Sequence, residues 1–311
     1  MEKITMRDIT RVHNAFDYQT HLDQPEELYH YTSLGTLQQI LGNRQLRFTN
    51  RAYLNDKTEG VYVLSLCKKK INELWPWDDN VGERNTKEAF CKFLDNTINE
   101  FYSTLFQSYQ VSFSYKADSL SMWNYYAQGQ GCNIQFSNDF MESFRSRLVK
   151  PREKSLVFLY GNVIYDESQQ LNILQDIFTA FEPFGKYQAV ESLYYCLTQS
   201  ILKIGSFFKP SSFEDERECR IVFNLSMEKN SNVFKQIVHP ESGFPYKCSV
   251  YSKQGMLVPY VDIKFDLKYI QGITVSPTSD FEKVKQGIRI MLYEQGVGSA
   301  FIKKSNIPLR F

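Results

Sequence analysis

The chain predicts an α+β fold with a mostly antiparallel or mixed sheet, because apolar spacings of helical period dominate up to about residue 204 and period-two alternation dominates after residue 216. A third observation concerns organisation. No internal repeat, low-complexity tract or Pro/Gly/Ser linker interrupts the chain, which predicts a single domain over 28–311 preceded by a polar arm or peripheral helix at 1–27.

The elements follow in order. LYHYTS (28–33) reads as a short strand running into a helix whose spacing is Leu34, Leu37, Ile40 and Leu41, with Ser33 as N-cap and Gly42 at its stop. LRFT (46–49) is strand-like, 61–75 and 86–110 are helical, and VSFSY (111–115) alternates as a strand. LSMWNYYA (120–127) predicts a short helix opened by Asp118 or Ser119 and closed by Gly129 and Gly131. Strand CNIQF, helix DFMESFRSRL, strands near SLVFLY and NVIYD, and a helical region at 167–204 come next. The last third predicts strands at ERECRIVF (216–223), NVFKQIVH, KCSVY, LVPYVDIKF, YIQGITVS and AFIKK, with a helix at 280–295.

Composition narrows the function classes. With 24 Phe and 20 Tyr in 311 residues, the chain calls for a core built on rings or a cleft lined with stacking surfaces. The 36 basic residues nearly cancel the 35 acidic ones, so no global field draws nucleic acid or membrane, and an anionic partner must be met by a local patch. Six cysteines form no C-x-x-C pair and none stands close to a histidine, which argues against a zinc site and a disulfide framework. MEKITMRDIT has no apolar leader and no run reaches the roughly 18 apolar residues of a membrane span, so the expected location is a reducing cytoplasm.

Common catalytic signatures are absent. There is no phosphate-binding G-x-x-x-x-G-K-[ST] loop, no G-x-S-x-G and no H-E-x-x-H, and GQG at 129–131 is a fragment of a dinucleotide fingerprint placed before a strand instead of a helix. Three local constellations remain. His30 lies between Tyr29 and Tyr31, with the Thr32 and Ser33 hydroxyls at a helix start that favours anions. Trp123, Tyr125 and Tyr126 follow strand VSFSY; they form either packing or a platform for a flat heterocycle, worth about 0.5–1.5 kcal/mol beyond area burial. In FEDERECRIV (213–222), strand alternation places Glu216, Glu218 and Arg220 on one face, as a solvated ion pair on an edge strand or as a carboxylate that steadies a developing cation. Asn55, Asp56 and Glu59 read as a helix cap, and the basic stretch 144–154 is a solvated helix end and the best candidate for phosphate contact.

Taken together, LYHYTS, LRFTN, LNDKTEG, FSYKADSLSMWNYYA, FEDERECRIV, ITVSP and SNIPLR resemble, over about 28–310, the bacterial family designated domain of unknown function DUF2971. More distantly, the order of a histidine on an early strand, a tyrosine on a helix after a strand and a glutamate on a late strand resembles the H-Y-E triad of the ADP-ribosyltransferase superfamily. That resemblance implies a split mixed or antiparallel sheet with the helical stretches 61–110 and 167–204 as insertions. It also implies that His30 bonds the adenosine ribose, Tyr126 stacks on nicotinamide, and Glu218 or Glu216, Glu218 by preference, engages the nicotinamide ribose. Tyr31 stands where the family's polymerases carry glycine. The cofactor-binding set that goes with it is His30, Tyr31, Thr32, Ser33, Arg47, Ser114, Trp123, Tyr126 and Arg220.

The chemistry agrees with those residue types. Cleavage of a nicotinamide glycosidic bond passes through an oxocarbenium-like state, which calls for a carboxylate at the ribose, an aromatic surface for the leaving group and no metal. The resemblance therefore implies a glycosyltransferase-class enzyme that takes NAD as substrate, a bacterial toxin or anti-phage defence effector. Its acceptor would be RNA, DNA or protein, and a cognate antitoxin would restrain it. A nucleotide or NAD-metabolite sensor without chemistry, and an NAD glycohydrolase, are the other two readings.

Overall fold

The computed structural model describes residues 27–54, 61–77, 86–100, 107–145, 156–184, 190–225 and 248–309. The expectations for the arm at 1–26, for Asn55, Asp56 and Glu59, for 146–154 of the basic stretch and for the strand NVFKQIVH fall outside these residues. In chain order the strands are β1 (Leu28–Thr32), β2 (Gln45–Asn50), β3 (Gln107–Ser114), β4 (Cys132–Phe136), β5 (Leu156–Asn162), β6 (Glu218–Leu225), β7 (Cys248–Lys253), β8 (Met256–Lys264), β9 (Ile270–Val275) and β10 (Phe301–Lys304). The α-helices are α1 (Leu34–Asn43), α2 (Tyr62–Lys69), α3 (Ile71–Leu74), α4 (Lys87–Glu100), α5 (Leu120–Tyr125), α6 (Glu142–Arg145), α7 (Glu167–Phe181), α8 (Val190–Ile204) and α9 (Phe281–Glu294).

The chain divides into two compact units, one built on Arg51–Gln107 and Val163–Ser212, the other on His21–Asn50, Ser108–Asn162 and Phe213–Phe311. The first is helical. Trp75, Trp77, Phe90, Phe178 and Tyr194 form a continuous ring cluster between α4, α7 and α8, with Trp75 and Trp77 centroids 4.6 Å apart and Phe90 5.1 Å from Tyr194. Arg51 is fully buried there and donates to the carbonyls of Leu202 and Gly205 and to the Ser206 hydroxyl, satisfying acceptors at the end of α8.

The second unit carries a ten-stranded sheet in the order β10-β9-β4-β1-β3-β2-β8-β7, with β6 joining β3 to β5. β10 on β9 is parallel, and the pairs β1–β4, β2–β8, β4–β9, β5–β6 and β7–β8 are antiparallel, so the α+β class with a mixed sheet is what the chain adopts. Its core is built on rings, the first of the two outcomes the composition allowed. Phe48, Phe113, Phe136, Phe140, Phe144, Phe158 and Phe223 are all buried on one face, Phe136 and Phe140 with centroids 4.4 Å apart and Tyr109 stacked on Phe223 at 5.2 Å.

β3 meets β1 and β2 at opposite ends. Tyr29 lies opposite Ser114, while Thr49 and Asn50 lie opposite Gln110 and Tyr109, and no registered pair joins either strand to Val111–Phe113. The sheet therefore forks there, with α1 connecting the two prongs.

Several boundaries differ from expectation. Residues 107–110 belong to β3, because apolar Tyr109, Val111 and Phe113 alternate with polar Ser108, Gln110, Ser112 and Ser114. The 61–75 periodicity is broken at Lys70, which leaves helical geometry between α2 and α3. NVIYD supplies only the end of β5 and a single bridge from Ile164 to Phe208. Ser33 caps α1 as expected, accepting from the Thr36 amide, but the left-handed residue at its end is Arg44, not Gly42. Glu216 ends the 3-10 turn Ser211–Glu216, and Arg217 has φ 41°, so the alternation expected over 216–220 holds only for Glu218 and Arg220.

Candidate functional site

On β1 the side chains alternate between two environments. Tyr29 and Tyr31 pack with Met122, Trp123 and Ala127, whereas Leu28 belongs to the phenylalanine core and His30 lies opposite Ile134 of that core. The Tyr31 hydroxyl donates to the Lys116 carbonyl at 2.8 Å and accepts from the Ser119 amide at 3.2 Å. Burial pushes its pKa up to about 12, so it stays a neutral donor at physiological pH. The neighbouring Ser114 hydroxyl is equally committed, donating to the Glu216 carbonyl at 2.7 Å and accepting from the Lys116 amide at 3.0 Å.

These bonds fix the loop Tyr115–Ser119, which aims α5. Asp118 is its hub: it accepts from Trp123 Nε1 at 2.7 Å, from the Ser305 hydroxyl at 2.7 Å and from the Asn306 amide at 2.6 Å, while Asn133 holds the Ala117 carbonyl at 2.7 Å. The residue read from sequence as a helix opener is thus the tie between α5 and the chain's SNIP segment. Trp123 is 1% exposed with its ring edge-on to Tyr31 at 4.8 Å, so it is a buried post; no heterocycle can stack on it. Tyr31 and Ser114, expected to touch cofactor, likewise spend their hydroxyls inside the protein, and Ser33 spends its own on the α1 cap.

Tyr126, half-buried at the end of α5, is aimed differently. Its hydroxyl donates to Glu216 Oε1 at 2.9 Å. Beside it, Asp215 accepts from the Ser121 hydroxyl at 2.6 Å and from the Lys116 ammonium, and these two partners hold its carboxyl below the usual carboxylate range. Two residues on from Glu216, Glu218 takes both bonds of the Arg220 fork, Nε and one terminal nitrogen each at 2.7 Å. Arg220 is fully buried and Glu218 is 6% exposed. The expected ion pair is present, on an interior strand between β3 and β5 and not on a solvated edge. Cys219 points to the opposite face, and burial pushes its thiol up to about 12, which keeps it protonated and unreactive.

The structure therefore brings Tyr126 and Glu216 into contact, and the Glu218–Arg220 pair follows two residues along at the start of β6. Other expected residues are elsewhere. Arg47 lies on β2, bonded through Nε to Asp262 at 3.2 Å and stacked over Tyr260. Thr32, 6% exposed, ends β1. His30 sits at the fork, where its Nδ1 contacts the Ser112 carbonyl at 2.9 Å and its ring tilts against Phe113 at 5.6 Å. A carbonyl only accepts, so Nδ1 carries the proton and Nε2 is the lone-pair nitrogen of the neutral ring. Among the described contacts none joins His30 to Tyr126, Glu216 or Glu218.

Burial pushes the His30 pKa below its ordinary value, against the opposing pull of the Ser112 carbonyl. A lowered folded pKa means that the unfolded chain binds more protons in the window below about pH 6.5, so stability falls as pH drops through it. Urea unfolding at pH 7, 6 and 5 should show this decline, flattened in His30→Gln. Identical slopes for the two proteins would remove His30 from the account.

The sequence reading missed Asp118 as a hub, Asn133 and the Asp215–Lys116–Ser121 group. The SNIP motif was the one available signal, since Ser305 and Asn306 are the partners of Asp118.

A family model described as Protein of unknown function (DUF2971) matches residues 122–221. The matched stretch runs from α5 into β6 and so contains Trp123, Tyr126, Glu216, Glu218 and Arg220, leaving His30 and Arg47 outside it. No curated protein and no solved structure matches the chain. Among the described residues, no helix is long and apolar enough to cross a membrane.

Proposed function

We propose that the protein is an NAD-dependent ADP-ribosyltransferase, a toxin or anti-phage effector that transfers ADP-ribose from NAD to a macromolecular acceptor in the cytoplasm. The observation that carries this reading is the bond from the Tyr126 phenol to Glu216, two residues from the Glu218–Arg220 pair. It supplies an aromatic ring and a carboxylate in contact, the two groups a departing nicotinamide and a developing ribosyl cation require.

In the reaction the bond between ribose C1′ and the nicotinamide nitrogen breaks, the electron pair leaves with nicotinamide, and the acceptor's nucleophile bonds C1′ and gives up its proton. Tyr126 offers a ring face to the leaving group. Glu216 supplies negative charge against the oxocarbenium. Glu218, held by two 2.7 Å bonds in the Arg220 fork, is the candidate for accepting a ribose hydroxyl. The charge-stabilising role goes to Glu216, in place of Glu218, the sequence-level preference, because Glu216 is the acid in contact with Tyr126. In this reading His30, whose Nε2 is the lone-pair nitrogen, would accept a hydroxyl of the adenosine ribose. The reading asks for no metal, and a cognate antitoxin is its natural restraint.

A specific observation favours a second reading. A neutralised Glu218–Arg220 pair suits recognition as well as catalysis, so a sensor of NAD metabolites is the alternative, with an NAD glycohydrolase between the two.

Purified protein given NAD labelled in the adenylate half separates them. Label on a macromolecule supports the transferase, free nicotinamide alone indicates the hydrolase, and neither indicates the sensor. Glu216→Gln keeps the side chain's shape and its acceptor for Tyr126 while removing the charge, so NAD cleavage should fall by roughly 10²–10³ with an unchanged melting temperature. Cleavage at the wild-type rate in that variant overturns the assignment, and toxicity on expression should disappear with it.

A further inference from the structure

We infer that Thr278 and Asp118 are positioning residues for Tyr126: the segments that follow β9 and β10 clamp the two ends of α5 and so set where its phenol stands. Their effect on turnover rests on the transferase reading; the clamp itself does not.

Topology brings the two segments together. β9 and β10 are parallel, with Lys304 opposite Val275, so Ser276 and Ser305 leave the sheet side by side, and the Ser305 amide donates to the Val275 carbonyl at 2.9 Å. Each segment then takes one end of α5. The Ser305 hydroxyl and the Asn306 amide hold Asp118 ahead of the helix, at 2.7 and 2.6 Å. After the helix, the Thr278 hydroxyl donates to the Gly129 carbonyl, and the Ser276 amide donates to the Gly131 carbonyl at 3.0 Å. ITVSP and SNIPLR, motifs that supply nothing to the bond between Tyr126 and Glu216, thus share one task at the ends of α5.

α5 needs such anchors. At six residues it is too short to hold an orientation of its own, since isolated helices below about 12 residues are marginal in water. Its exit turns through Gln128 at φ 53° and Gly129 at φ 73°, and the Gly129 amide donates back to the Trp123 carbonyl at 2.9 Å. Gly129 is therefore gripped at both its polar groups, by α5 through its N–H and by Thr278 through its C=O. Tyr126 stands just before this turn. A shift of the turn passes to the phenol, whose 2.9 Å bond to Glu216 has little slack.

Three variants of the full chain test the clamp. Thr278→Val keeps the side chain's shape and removes its hydroxyl, and Thr278→Ser keeps the hydroxyl. Asp118→Asn retains an acceptor for Trp123 and Ser305 while setting an N–H against the Asn306 amide. Nicotinamide release is measured below the first melting transition. In Thr278→Val and Asp118→Asn, kcat should fall about ten- to a hundredfold with KM for NAD unmoved, because a misplaced phenol weakens the transition state alone. Thr278→Ser should turn over as wild type. Wild-type kcat in Thr278→Val, an equal loss in Thr278→Ser, or a rise in KM alone each overturn the proposal.

Hydrogen exchange reads the clamp without any chemistry. The amides of Trp123, Tyr126 and Gly129, which donate within α5 and its cap, should exchange roughly fivefold faster in Thr278→Val and Asp118→Asn, with Leu156–Asn162 of β5 unchanged. Wild-type protein that releases no nicotinamide defeats the transferase reading and leaves exchange to decide the clamp. Unchanged exchange at those three amides overturns the clamp whatever happens to NAD.

Discussion

Glu218→Ala should lower the stability of the sheet unit by about 3–5 kcal/mol, the cost of breaking a buried ion pair by removing one partner. The reason is local. Arg220 is fully buried and cannot be deprotonated, so losing Glu218 removes two 2.7 Å charge-assisted bonds from its fork in the interior of the sheet. For a unit of this size the loss corresponds to a fall of about 10 °C in melting temperature, read as the displaced transition in calorimetry. Two compact units make a single two-state transition an unsafe assumption, so the displaced transition is the quantity to follow. A double replacement, Glu218→Leu with Arg220→Met, should recover much of the loss, because burying two apolar chains avoids desolvating two charges. A Glu218→Ala protein that melts within a degree or two of wild type would mean that water already screens the pair. The comparison with Glu216→Gln then has force: that variant should lose chemistry without a displaced transition.

How far the site was legible follows from which of its contacts are local. Ser33 declared the α1 start because capping involves atoms three residues apart, and Glu218 declared its partner because strand alternation brings i and i+2 to one face. The same alternation rule failed at Glu216. The 3-10 turn and the left-handed Arg217 reset the chain's phase there, and nothing in FEDERE announces a positive φ at an arginine. The aromatic helix was legible in kind but not in use. Trp123 and Tyr126 share a face three residues apart, yet one is sealed against Tyr31 while the other reaches Glu216, a division made by β1 and the 3-10 turn Ser211–Glu216 rather than by the helix. Asp118 was legible as a helix opener but not as a hub, because its partners Ser305 and Asn306 lie 187 and 188 residues away. Local pattern does not pair residues at that range.

The glycines of GQG make the sharpest case of a requirement hidden in sequence, and they predict unequal losses for one substitution. A Cβ placed at Gly131 would lie 2.1 Å from the Thr32 carbonyl oxygen, 2.7 Å from the Ala127 carbonyl oxygen and 2.9 Å from the Ala127 Cβ. Those atoms are backbone or nearly so and cannot swing aside. Thr32 is held in register opposite Cys132, and the Gly131 carbonyl accepts from the Ser276 amide at 3.0 Å, so the ends of β1, α5 and β9 converge on a space that only hydrogen can occupy. Gly131→Ala should therefore cost at least about 3 kcal/mol, at the upper end of overpacking penalties. It should also abolish NAD cleavage, because relieving the clash moves the exit of α5 and with it the Tyr126 hydroxyl. Gly129 is the control. It has φ 73° and nothing within 4 Å of a built Cβ, so Gly129→Ala meets only the left-handed penalty of about 1–2 kcal/mol. Thermal melts of the two variants, alongside nicotinamide release, check the order. If Gly129→Ala proved the more damaging, backbone conformation and not close approach would govern this turn, and the proposed convergence of three segments behind Tyr126 would be wrong.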